Sequence, residues 1–109
     1  MKKAKDLFYA LASQLVLKKT GKITDIKTTL VQNIEKIGAL QNEINAFPSK
    51  FSSEHISAQK ENIVLIQGFL EKLKALFLAQ INSSDEMRLQ ILFDQEEALY
   101  SLVRKKIEH

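Results

Sequence analysis

The sequence predicts an all-α protein, folded as an antiparallel up-down four-helix bundle. Three observations point there. Apolar residues recur with a helical period in four separate stretches. The breaks between those stretches are short, which favours antiparallel neighbours. Only three Gly and one Pro occur in 109 residues, so the regular elements must be few and long. A longer helical hairpin that dimerises is the alternative, favoured if the break at Asn82–Glu86 is only a kink. Residues 1–109 are expected to form one domain with a modest core.

The first helix is expected from about Lys3 to Lys19, with Leu7, Phe8, Leu11 and Leu15 on one face. Lys18 and Lys19 suit its negative C-terminal end, and Gly21 can take the left-handed position that closes it. The second helix is expected from about Thr24 to Phe47. Ile23, Leu30, Ile37 and Ile44 recur every seven residues. Ile26, Leu40 and Phe47 fill three of the four matching d positions and Asn33 the fourth, which makes a coiled-coil-like seam. Pro48 stops the helix. Asn33 has two readings: a polar residue that fixes register, or a residue rotated off the seam while Ile34 makes the contact.

Ser52 or Ser53 can cap the third helix, which runs to about Ile81. One stripe is Ile63, Ile66, Leu70, Leu73 and Phe77, and a second is Leu65, Phe69 and Leu76. Being apolar around more than half its circumference, this helix is expected to be the most buried or to turn one face to a partner. Ser83 with Glu86 fits a capping box. The fourth helix then runs from about Ser84 to Ile107, with Leu89, Leu92, Leu99, Val103 and Ile107 inward.

Composition narrows the function. Apolar residues make up 45% and charged residues 27%, which is ordinary for a globular chain. The absence of Cys removes thiolate chemistry and Cys-based metal sites and fits a reducing compartment. Met1-Lys2-Lys3 looks like a signal-peptide start, but Lys5, Asp6 and Ser13-Gln14 interrupt the apolar run that should follow. The stretch from Ile63 to Ile81 carries too many polar groups to span a membrane. A cytoplasmic location is therefore expected.

The common catalytic constellations lack their residues. A metal site in a bundle needs facing Glu-x-x-His pairs, and only His55 and His109 exist. No nucleophile elbow and no Gly-rich phosphate loop occurs. Glu96 lies at the edge of the Leu92–Leu99–Val103 stripe and is expected at the rim, reaching water or a lysine; a buried acid there would instead signal a site. No enzyme activity and no cofactor are expected.

Two surfaces remain as candidates for partner binding. One is the surplus apolar face of the third helix, Leu65, Phe69 and Leu76. The other is a basic end, where an up-down bundle would bring Lys2, Lys3 and Lys5 to Arg104, Lys105 and Lys106. Such an end can meet an acidic protein or, peripherally, an anionic membrane. No aromatics interleave with these cations, which argues against nucleic acid.

The Met1-Lys2-Lys3 start, the helix–break–helix pattern from Leu7 to Ile44, and the segment Ile81–Glu86 leading into Leu89 and Leu92 resemble the bacteriocin immunity proteins of the enterocin-immunity type. That resemblance implies a cytoplasmic helical bundle that protects the producing cell by binding a toxin-occupied membrane receptor from inside. The stretches Phe69-Leu70-Glu71-Lys72-Leu73 and Glu96-Glu97-Ala98-Leu99 look like the helical hairpin of flagellar or type III export chaperones, which implies an adaptor that holds a partner helix. A structural homodimer built on the Ile23–Phe47 seam is the third expectation. The chain is thus expected as a monomer or a homodimer.

Overall fold

The computed structural model describes residues 2–46 and 53–107, with side chains described within 4–46 and 63–106. Four helices follow in order: α1 (Lys2–Lys19), α2 (Ile26–Ala46), α3 (Ser53–Asn82) and α4 (Glu86–Ile107). Helix α1 packs on α2 and α4, and α3 packs on the same two, so the helices form a square in chain order. Gln41 bonds to Glu71, and Gln67 to Asn45, which runs α2 and α3 antiparallel. This is the four-helix bundle that the periodicity predicts. The hairpin alternative does not hold, because the break after Asn82 is a turn and α4 folds back on α3 within one chain. The molecule measures 48 × 26 × 18 Å, its length set by α3, which at 1.5 Å per residue extends about 45 Å.

The core is built from one stripe per helix, each with alternating three- and four-residue spacing. On α1 the stripe is Phe8, Leu11, Leu15 and Lys18; on α2 it is Leu30, Asn33, Ile37, Leu40 and Ile44. On α3 it is Leu70, Leu73, Phe77 and Gln80; on α4 it is Phe93, Glu96, Tyr100 and Val103. All of these side chains are buried. The spacing drifts little around a helix, so each seam faces its neighbours along its whole length. The α2 seam that suggested a homodimer is thereby spent inside the bundle.

The helix ends explain where the elements begin and stop. Gly21, at φ 75°, closes α1. Its N–H donates to the Lys18 carbonyl and that of Lys22 to the Leu17 carbonyl, the paired bonds of a Schellman turn. Asp25 caps α2, accepting from the Thr28 N–H at 3.1 Å and the Thr28 hydroxyl at 2.7 Å. The helix therefore starts at Ile26 rather than at Thr24. The start of α4 corrects the expected capping box. Asp85 accepts from the Met87 N–H at 3.0 Å, while the Ser83 hydroxyl donates to the Asp85 carbonyl. A carboxylate one residue before the helix outcompetes the serine, because it adds charge to the free N–H groups of the first turn. Phe47, Pro48 and Ser52 lie outside the described residues.

Candidate functional site

Each of the four seams carries one polar residue, and three of these meet. Lys18, Gln80 and Glu96 continue the apolar stripes of α1, α3 and α4, so the same periodicity that buries Leu15, Phe77 and Phe93 buries them too. The Lys18 ammonium donates to Glu96 Oε1 at 2.8 Å and to Gln80 Oε1 at 3.0 Å. Gln80 Nε2 donates to Glu96 Oε1 at 2.8 Å, and the Tyr100 hydroxyl donates to Glu96 Oε2. The side chains of Lys18 and Glu96 are 1% and 0% exposed. Glu96 is thus not a rim residue, and Lys18, in the last turn of α1 as expected, is buried there. The signal for both in the sequence is their spacing on the apolar seams, which continues through them without a gap.

Aromatic rings wall in this cluster. The Lys18 ammonium stands 4.8 Å from the Phe77 ring centre and 5.2 Å from that of Phe93, within reach of a cation–π attraction. Phe8 lies edge-on to Phe69 at 5.9 Å and to Tyr100 at 5.6 Å on the other side. Burial pushes the Lys18 ammonium below its ordinary range, against the opposing pull of Glu96. Burial also pushes the Tyr100 phenol up, and the negative charge of Glu96 adds to that. No buried side-chain nitrogen or oxygen among the described residues lacks a hydrogen-bond partner. The cluster is closed to solvent and fully satisfied, so its chemistry is that of a positioning device. It holds α1, α3 and α4 in one register.

Asn33 supplies the fourth polar position. It is buried on the α2 seam and donates to Gln14 of α1 at 2.6 Å, while Ile34 is only half-buried. Of the two readings of Asn33, the seam reading is the one observed.

The open surfaces differ in kind. Between α3 and α4 runs an apolar groove of about 630 Å³, walled by Leu76, Leu92, Leu99 and Leu102, with Ala75, Ala79 and Ala98 lining it and Lys72, Arg88 and Gln95 as its polar members. Leu76 lines this groove, and Leu65 is half-buried on the same face of α3, seven and eleven residues before Lys72 and Leu76 in the helical repeat. Phe69 is a correction. It is buried against Phe8 and Tyr100, inside the core rather than on the open face of α3. On the opposite side of α4, Lys19 ties down Asp94 and Glu97, closing the α1–α4 seam.

Because α1 and α4 run antiparallel, Lys5 stands at the same end as Arg104, Lys105 and Lys106, all four exposed. The side chains of Lys2, Lys3 and His55 and the whole of His109 lie outside the described residues. Among the described residues no group of three or more His, Cys, Asp or Glu side chains could hold a metal ion, and no helix is long and apolar enough to cross a membrane. No family model, curated protein or solved structure matches the chain.

Proposed function

We propose that this chain is a non-enzymatic cytoplasmic binding protein whose working surface is the groove between α3 and α4. The observation that carries this reading is the contrast between two regions. The buried titratable groups Lys18, Glu96 and Tyr100 are sealed and mutually satisfied, whereas the apolar α3–α4 groove is open and no described residue covers it. Perturbed acids and bases mark a reaction site when a substrate can reach them. An open apolar groove between two helices suits an amphipathic helix from another protein.

The most specific form of this function is bacteriocin immunity, which rests on the pattern-level resemblance of the sequence. Expression in indicator strains sensitive to small peptide bacteriocins is then expected to raise survival. Ala98→Trp, which fills the groove from an exposed position, is expected to abolish that protection without lowering the melting temperature. A panel of strains left unprotected would discard the immunity form. Protection unaltered by Ala98→Trp would discard the groove as the working surface. The groove also favours a second reading, an export chaperone or adaptor that holds a partner helix. This reading predicts instead that a defined export substrate co-purifies with the chain and is lost from Ala98→Trp.

A further inference from the structure

Among the described residues, the two charged ones that line the α3–α4 groove, Lys72 and Arg88, are both cations. The acids of these two helices that the structure ties to partners are engaged on other sides. Asp94 and Glu97 are held by Lys19 of α1, Glu71 by Gln41 of α2, and Asp85 caps its own helix. These carboxylates are thus engaged away from the groove, while Lys72 and Arg88 stand beside the open apolar strip. The turn after Asn82 sets Arg88 alongside the last turn of α3. Lys72 lies about two helical turns, roughly 12 Å, farther along the groove.

Resting on the reading that this groove is the working surface, we infer that its partner is an amphipathic helix with an acidic edge. The partner's apolar stripe lies on Leu76, Leu99 and Leu102, over the buried Leu92, and the alanines let its backbone approach closely. Carboxylates about two turns apart on its edge meet Lys72 and Arg88. Opposite charge at a groove rim selects the partner and its direction more than it adds raw affinity. A second copy of this chain is the poorer occupant. Its own exposed apolar stripe on α4, Met87, Ile91 and Leu102 at 77%, 55% and 53% exposure, is flanked by Arg88, Lys105 and Lys106 and would bring cations to cations.

The test uses the full chain and two dye-labelled model peptides that share one Leu/Ala amphipathic stripe and carry either Glu or Lys along both edges. Fluorescence anisotropy at low salt is expected to show the Glu peptide binding roughly tenfold or more tightly, with the difference shrinking at high salt. In Lys72→Glu/Arg88→Glu the preference is expected to invert. Both side chains are exposed, so the fold is retained, which circular dichroism checks. Equal binding of the two peptides would leave the groove in place and overturn the acidic edge. If neither peptide binds, both the edge and the groove fall. A dimer by sedimentation equilibrium that Leu102→Lys dissociates would give the groove to a second copy and overturn the inference. So would capture by phosphatidylserine vesicles, lost in the charge-reversed variant, without binding of either peptide.

Discussion

Glu96 accepts three hydrogen bonds inside the bundle, from Lys18, Gln80 and Tyr100. Taking a lysine and a glutamate out of water costs several kcal/mol per ion, and their mutual attraction offsets this only when every remaining polar atom is paired. Here each one is, with the rings of Phe77 and Phe93 beside the ammonium. The network is therefore far costlier to break than to replace. Glu96→Ala leaves a buried ammonium without its anion and is expected to lose about 3–5 kcal/mol in urea unfolding. Replacing the whole set at once, Lys18→Met, Gln80→Leu, Glu96→Leu and Tyr100→Phe, is expected to return to within about 1 kcal/mol of the parent, or above it. A loss of only a few tenths from Glu96→Ala would mean that Lys18 finds water, contrary to a sealed site. The sequence held the clue to these residues in its spacing. Phe8, Leu11, Leu15 and Lys18 keep the three-four alternation without a gap, as do Phe93, Glu96, Tyr100 and Val103. What the spacing lacks is the partner. Nothing local to Lys18 says that Glu96, 78 residues away, will neutralise it.

At the level of the elements, caps decided the boundaries and a single polar residue decided the phase of a helix. Two candidate caps precede α4, Ser83 and Asp85, and the sequence motif favours the first. The structure places Asp85 at the helix start, bonded to the Met87 N–H. Asp85→Ala is accordingly expected to cost about 1 kcal/mol, and Ser83→Ala only a few tenths, in denaturant midpoints. The reverse order would restore Ser83 as the cap. The phase of α4 shows a subtler effect. Reading Leu89, Leu92, Leu99 and Val103 as the inward face is natural when a glutamate is assumed to face water. Leu92 and Val103 are buried as that reading expects, but Phe93, Glu96 and Tyr100 lie at the centre of the face and Leu89 and Leu99 are only half-buried. On α2 the opposite happened. Leu30, Ile37, Leu40 and Ile44 are so regular that Asn33 stays on the seam, and it takes Gln14 as a partner.

For the molecule as a whole, the buried network ties stability to alkaline pH in two opposed ways. The Lys18 ammonium is held below its ordinary value of 10.5, so between its folded value and 10.5 the unfolded chain binds more protons and stability rises with pH. The Tyr100 phenol is held above its ordinary value of 10.0. Above pH 10 the unfolded chain therefore loses a proton that the folded chain keeps, and stability falls by up to about 1.4 kcal/mol per pH unit. Melting temperature is expected to climb slightly toward pH 10 and to drop steeply beyond it, with the drop moderated in Tyr100→Phe. In a Tyr9→Phe background, the ultraviolet signal of tyrosinate is expected to appear together with unfolding. Ionisation of Tyr100 well before the fold is lost would show the site to be wet.

The sequence by itself determined that the chain is all-helical, that it has four helices, and which stripe of α1, α2 and α3 faces inward. Those features follow from local periodicity, from a glycine free to take positive φ, and from the scarcity of other turn residues, and each acts within a few residues of itself. The tertiary structure alone decided that three of the four polar seam residues form one sealed cluster. It also decided that Phe69 is spent on the core while Leu76 opens onto a groove, and that Lys72 and Arg88 stand beside that groove. These depend on which helices become neighbours and at what height they meet. Ion pairing and ring packing in a dry interior reward one such arrangement, and no window along a single helix contains both members of the pair.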